Sequence, residues 1–348
     1  LERLDLNRFF MAGRADVSGT LKREDDGIVS VEVNGPYLDV SPFLGNVSSM
    51  GSEAGGLKFP LSVSADVDRL RLREGLDLVP AVMSLQTNTT SVQSFIASGE
   101  TPGGDRMRVQ YTGESEGEAA TLSLNSGNAG FLTSALLGSK VLEGGTLELD
   151  GKFAFRGDPT KLLLKVKDAR LRDAPFLTQV LSLASLRGLA DTLGGDGVLF
   201  SDIEVPMTIA GGRYIVEGGR ANGPALGLTA NGWLAQKGGD IDVTGVLVPS
   251  FGVNSMLGGV PVIGDLFVGR EGEGIFSLTY SVRGTLEKAQ VAVNPLSAVT
   301  PGVLRRIFEN PADTDIPDSL PIDRNLTPPA PPMSDDAEMI ETAPIPGR

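Results

Sequence analysis

Apolar and polar residues alternate with a period of two along most of this chain. Side chains that alternate along a strand point to opposite faces of a sheet, so each such strand has one apolar and one wet face. This pattern favours antiparallel sheet over parallel sheet, whose buried strands read as continuous apolar runs. It is clearest in three segments. If the apolar face of the sheet forms an open groove, the apolar positions of these segments are the candidates to line it: Leu147, Leu149, Phe153, Phe155, Ile203, Val205, Met207, Ile209, Phe276, Leu278, Tyr280 and Val282.

Shorter alternating runs recur from Val29 to Val293, and paired glycines separate many of them. Gly144–Gly145, Gly211–Gly212 and Gly218–Gly219 predict hairpin turns, because glycine readily adopts the positive φ of a tight turn. The sequence therefore predicts a long β-meander. Its apolar faces either pack on each other as a filled core or line an open trough, and the alternation alone is compatible with both.

Few segments have a helical pattern. The clearest is 175–193, which Asp173 could cap and which Gly194–Gly195 could end. Its polar stripe is narrow, so we expect most of its surface to be buried. Shorter helices are predicted at 130–142 and 301–308.

The segment 251–267 is apolar, rich in glycine and too irregular to span a membrane. We interpret it as a buried loop or as a loop that faces a membrane or a partner. Its candidate contact residues are Phe251, Met256, Leu257, Val262, Ile263, Leu266 and Phe267.

Composition changes near residue 310, and it suggests three regions. Residues 1–160 form a repetitive amphipathic sheet region, and residues 161–309 form a second β region that carries the main helix. Residues 310–348 read as a disordered tail rich in proline and acidic residues. The first ten residues already resemble structured chain, so we expect this sequence to be the C-terminal part of a longer protein.

Charge and missing residue types exclude several functions. The 348 residues include 30 basic and 44 acidic side chains, a net charge of −14, and neither histidine nor cysteine. An acidic chain is a poor ligand for nucleic acid, which needs a basic face. Without histidine and cysteine there is no serine–histidine–aspartate triad, no thiol nucleophile and no thiolate zinc site.

Pairs of carboxylates at alternate strand positions are the only candidates for catalysis or metal binding. They occur at Asp66/Asp68, Asp202/Glu204 and Asp240/Asp242. A glycosidase dyad or a metal could use such a pair, but a solvated strand face explains them as well. We therefore expect no catalytic residues, no metal and no cofactor.

The C-terminal third resembles the AsmA-like family of Gram-negative bacteria, and most closely its YhdP-type branch. The resemblance is carried by Val260–Gly264, Gly272–Phe276, Tyr280–Gly284, Val293–Ser297 and Pro301–Gly302, and upstream by Asp173–Leu177, Gly197–Phe200 and Gly223–Leu228. It covers about residues 160–308 and is unspecific before them.

The resemblance implies a mainly β fold: a long, twisted antiparallel β-meander curled into an open apolar groove, with a few short helices. It also implies a periplasmic body anchored to the inner membrane, which moves phospholipid toward the outer membrane with acyl chains in the groove. Partners would be phospholipid acyl chains and proteins of the inner and outer membranes. A non-enzymatic envelope scaffold with a filled β core stays open as the alternative, and ordinary core packing stays an alternative for every lining residue.

Overall fold

A computed structural model describes residues 2–44, 59–115, 118–138, 140–153, 159–184, 186–249, 277–286 and 288–294. Its strands are mainly those that the alternation predicts. The predicted lining residues Phe155 and Phe276, the loop 251–267, the helix at 301–308 and the tail 310–348 lie outside the described residues.

Among the described residues, eighteen strands form one mixed sheet that is not closed. The first ten are β1 (Arg3–Met11), β2 (Ala15–Arg23), β3 (Val29–Asp39), β4 (Leu61–Val67), β5 (Leu70–Arg73), β6 (Leu76–Leu78), β7 (Ala81–Thr87), β8 (Val92–Glu100), β9 (Arg106–Thr112) and β10 (Thr121–Ser126). The others are β11 (Leu142–Lys152), β12 (Thr160–Leu171), β13 (Val198–Ala210), β14 (Arg213–Asn222), β15 (Leu226–Ala235), β16 (Asp240–Pro249), β17 (Leu278–Thr285) and β18 (Gln290–Asn294).

Nearly every strand pairs antiparallel with its neighbour in sequence. The pairing runs without a break from β7 to β18. The predicted mainly β meander is thereby confirmed, and the sheet crosses the expected regional boundary at 160/161 inside β12. One junction was not predicted: β3 pairs in parallel with β4 and β5, while β4 pairs antiparallel with β7.

Two of the three glycine pairs named above lie within strands and are not turns. Gly144–Gly145 lies in β11 and Gly218–Gly219 in β14, and three of these four glycines have positive φ. At 218–219 the β13–β14 and β14–β15 registers shift, as in a β-bulge. Only Gly211–Gly212 forms the predicted tight hairpin, between β13 and β14.

The predicted helix 175–193 is two helices, α3 (Pro175–Leu183) and α4 (Arg187–Gly194), after the short α1 (Ser41–Leu44) and α2 (Ala129–Leu137). The prediction of one continuous helix was therefore wrong. The expected cap was also wrong, because Ala174 occupies the N-cap without a side-chain hydrogen bond. The periodicity could not reveal the break because apolar residues continue across it, at Ala184 and Leu186, which pack against the same core as α3 and α4.

The two ends of the sheet differ. At one end, which we call the hairpin end, short turns join β2 to β3, β7 to β8, β13 to β14, β15 to β16 and β17 to β18. At the opposite end, the helix end, short connections also join β1 to β2, β8 to β9 and β14 to β15, but longer connections carry α2 between β10 and β11, and α3 and α4 between β12 and β13. Among the described residues, the helices therefore lie at one end of the strands only.

The sheet curls around α2. This helix contacts β6 and also β11 and β12, although β6 runs directly into β7 and four strand spacings separate β7 from β11. Along a flat sheet that separation would be about 19 Å, whereas a helix is only about 10–12 Å across. A single helix can touch both strands only because the sheet bends toward it.

Candidate functional site: the apolar face of the sheet

Alternation and strand register together arrange the apolar side chains of one face in rows that run across the sheet. The row nearest the helix end, which we call the helix-side row, follows cross-strand partners from β3 to β17. Its members are Gly35, Val67, Ala81, Gly99, Met107, Ser126, Leu147, Val166, Ile203, Ala221, Leu228, Leu247 and Leu278.

A second row, the middle row, lies two residues farther along each strand. Its members, from β1 to β13, are Leu6, Gly19, Val33, Ala65, Met83, Ala97, Val109, Leu124, Leu149, Leu164 and Val205. Register shifts interrupt it after β13, where Glu204 and Met207 have partners that are four residues apart.

A third row, the hairpin-side row, crosses the sheet from β1 to β18. Its members are Leu4, Leu21, Val31, Val63, Leu85, Phe95, Tyr111, Leu122, Gly151, Leu162, Met207, Val216, Gly232, Val243, Val282 and Val291. None of these residues is charged, and the same is true of the other two rows. One face of the described sheet is thus uncharged along these rows and almost entirely apolar.

The exposed fraction of the side chains on the apolar face changes along the strands, from the helix end to the hairpin end. The helix-side row is mostly buried, because α2 packs on β11, and α3 and α4 pack on the cluster around Phe200, Leu247 and Leu278. Most side chains of the other two rows are half-buried. The apolar face is therefore covered along the helix end and accessible over the remainder, and we call this accessible part the trough.

The structure divides the predicted lining residues into two groups. Leu147, Leu278 and Val282 are core residues, with exposed fractions of 5%, 0% and 4%. The remaining described candidates are half-buried: Leu149, Phe153, Ile203, Val205, Met207, Ile209 and Tyr280. The division could not be predicted, because it depends on where the helices lie on the sheet.

Sequence reasoning missed lining residues in the first half of the chain. Leu85 on β7 and Phe95 on β8 are partners in the hairpin-side row, and both are half-buried. The alternation that could have identified them is weaker, since alanine and glycine occupy neighbouring inward positions (Ala97 and Gly99) and Ile96 is an apolar residue on the outward face. Tyr111 extends this aromatic part of the row, and its ring meets that of Phe153 edge-on, with 5.9 Å between the centroids.

Tyr280 occupies the place where bulges interrupt the middle row. Its hydroxyl donates to the Thr229 carbonyl oxygen at 2.7 Å. A Cβ at Gly245, its cross-strand partner, would lie 2.8 Å from the tyrosine Cζ, so the hydroxyl end of the ring occupies the space beside this glycine. Burial raises the pKa of Tyr280 far above its usual value, which keeps the phenol neutral within the apolar face.

Capping and a long-range hydrogen bond fix α2 at the helix end. Asn128 is its N-cap, with the side-chain Oδ1 accepting from the Phe131 amide at 2.9 Å. At the other end Gly138 adopts φ 69°, and Arg73 Nε donates to the Ala135 carbonyl at 3.1 Å. These contacts hold the helix over the helix-side row.

The opposite face of the sheet carries the charged residues. Arg220 Nη2 donates to Glu204 at 2.9 Å, and Arg283 Nε donates to Asp242 at 3.2 Å. An open depression of about 560 Å³ also lies toward this face, near Ser123, Asp150 and Leu163. Carboxylates from two of the three candidate pairs are thus partners of arginine.

Strand β1 is an exposed edge. All nine of its residues are exposed, and β2 is its one partner among the described strands. Five apolar side chains on it are between 43% and 63% exposed: Leu4, Leu6, Phe9, Phe10 and Met11. The middle and hairpin-side rows both reach this edge.

Comparisons with family models, curated proteins and solved structures give no match. Within the described ranges, no helix is long and apolar enough to cross a membrane. Among those same residues, no group of three or more acidic side chains is arranged to hold a metal ion. The apolar face is therefore the feature from which a function can be argued.

Proposed function

We propose that this chain binds phospholipid acyl chains in the trough and forms part of a path along which lipids move toward the outer membrane. The observation that carries the proposal is the uncharged, half-exposed apolar face that crosses the whole described sheet. Soluble proteins rarely leave a large contiguous apolar surface open unless something binds there. An acyl chain is an apolar ligand that such a surface can bind.

The energetics favour such a ligand. Exposing one methylene to water costs about 0.8 kcal/mol, so a lipid with two long chains faces tens of kcal/mol on leaving a bilayer. Half-buried residues such as Leu149, Leu162 and Met207 would lose their remaining water contact under a bound chain. Lipid and protein would both bury apolar surface, and the charged opposite face would keep the sheet soluble.

The resemblance to the AsmA-like family supports the cellular setting of this proposal. It implies a periplasmic body, an inner-membrane anchor in a preceding segment, and membrane or envelope proteins as partners. Three of its elements, at 173–177, 197–200 and 223–228, lie around α3 and α4 at the helix end. We also propose that the chain is not an enzyme, since Glu204 and Asp242 are each engaged by an arginine.

Adjacent residues on β13 provide the test. Met207 belongs to the trough, whereas Thr208 points to the opposite face, where Lys161 is its cross-strand partner. The wild type, Met207→Glu and Thr208→Glu would be expressed in a Gram-negative host and purified without detergent. Lipid mass spectrometry would then measure bound phospholipid, with circular dichroism and thermal unfolding as controls for folding.

We expect phospholipid on the wild type and on Thr208→Glu, and a loss on folded Met207→Glu. A buried carboxylate would oppose acyl chains at this position, because moving its charge out of water is costly. A folded wild type without lipid would contradict the proposal, and so would equal lipid on Met207→Glu.

An envelope scaffold is the second candidate function, and the exposed edge at β1 favours it. An edge strand offers unpaired backbone groups to an extended segment of another protein. Under this alternative, Leu6→Lys on β1 would abolish recovery of a defined envelope partner, whereas Met207→Glu would not.

A further inference from the structure

We infer that bound acyl chains lie parallel to the strands, with their methyl ends against the helices and their headgroups at the hairpin end. This inference rests on the proposed function and specifies how the ligand sits in the trough. Its consequence is that the helix end limits the length of the chains that the trough accepts.

The asymmetry of the two sheet ends is the first reason. At the helix end, α2, α3 and α4 bury the helix-side row, so Val166 and Leu247 are inaccessible to a ligand. At the hairpin end most strands are joined by short turns, such as Gly211–Gly212, and no helix lies there among the described residues. A polar headgroup can reach water past the turns, whereas the helices offer a closed apolar wall.

The width of the trough is the second reason. Successive rows lie two residues apart along each strand, or about 6.8 Å. Beyond the hairpin-side row, β13 to β16 add one more apolar row, formed by Ile209, Tyr214, Leu234 and Ile241. The middle row ends at β13, where this last row begins, so on β13 the trough extends from Val205 past Met207 to Ile209, about 14 Å. This length is close to the ~15 Å that acyl chains occupy in half of a bilayer core.

The alternative orientation would place acyl chains across the strands, along the length of the trough. In that direction the rows continue from strand to strand. Within the described sheet, nothing blocks a row at a distance that matches the length of one acyl chain. The trough would then accept long and short chains alike. Chain-length selection therefore distinguishes the two orientations.

Leu149 is the position at which to test the limit, because it belongs to the middle row and packs against the cluster that α2 covers. Leu149→Trp would shorten the space before the helix, and Leu149→Ala would lengthen it. Leu163→Trp on the neighbouring β12 points to the opposite face and is the control. The full chain would be purified without detergent, and the acyl lengths of its bound phospholipids would be measured by mass spectrometry.

Each methylene forced into water should lower affinity about fourfold, the factor that corresponds to ~0.8 kcal/mol. We expect Leu149→Trp to raise the ratio of shorter to longer chains at least about fourfold, and Leu149→Ala to lower it, with no change in Leu163→Trp. If Leu149→Trp fails to fold, Leu149→Ala still tests the direction. Bound lipid with the same length profile in the folded 149 variants would overturn the orientation alone. A wild type without lipid would overturn the proposed function itself.

Discussion

Two leucine-to-alanine substitutions, at positions 247 and 162, distinguish an open trough from a filled core. Leu247→Ala alters the helix-side row, where the side chain is 0% exposed. Leu162→Ala alters the hairpin-side row, where the leucine is half-buried. Both changes remove the same atoms, so a difference in their cost reports the environment of each row.

The expected magnitudes follow from burial. Removing a fully buried leucine costs about 2–5 kcal/mol, because lost transfer energy adds to an unfilled cavity. Leu162→Ala should cost about 1 kcal/mol, since roughly half of the ~0.8 kcal/mol per methylene was gained on folding and water fills the space. The free energy of unfolding would be measured by urea titration of lipid-free protein, because bound lipid would stabilise the wild type.

A filled β core predicts a large loss of stability for both variants. In that case opposing side chains would cover Leu162 as well, and its removal would also leave a cavity. Equal losses of 2–5 kcal/mol for both variants would therefore refute the open trough. A small loss for Leu162→Ala together with a large loss for Leu247→Ala would agree with it.

Two further predictions concern polar groups. Burial raises the pKa of Tyr280, so its contribution to stability is complete below the unfolded-state pKa of about 10 and is lost as pH rises above it. Tyr280→Phe should remove that alkaline dependence in pH-resolved thermal unfolding, and an unchanged pH profile would contradict this. Glu204→Gln should cost about 1–3 kcal/mol, because it leaves the largely buried Arg220 guanidinium without its carboxylate. Asp242→Asn, whose partner Arg283 is half-exposed, should cost less than about 1 kcal/mol in the same urea assay, and equal losses would argue against this ranking.

The strand pattern and its faces could be predicted from sequence, because alternation is a local property of each strand. The same local pattern could not separate Leu147 from Leu149, which share a face of β11. Only the position of α2, a tertiary contact, makes the first residue core and leaves the second half-buried. The glycine pairs at 144–145 and 218–219 were assigned to turns, because a bulge within a strand and a turn between strands use the same residue.

The parallel pairing of β3 with β4 and β5 also could not be predicted from the sequence. Nothing local in β3 or β4 distinguishes a strand that pairs in parallel from one that pairs antiparallel. The direction of pairing depends on the connection between the strands, because residues 40–60 separate β3 from β4. By contrast, the hairpins after β7 follow the chain directly, and their order was predictable.

The sequential pairing from β7 to β18 has a consequence for how such a sheet folds and lengthens. Each strand after β7 needs only the strand before it, so contacts are local and folding can propagate one hairpin at a time, as it does in repeat proteins. Insertion of a further hairpin would add about 9–10 Å to the sheet without changing any existing register. A chain of this design can therefore change its reach during evolution by duplicating a short segment, while the chemistry of its apolar face stays the same.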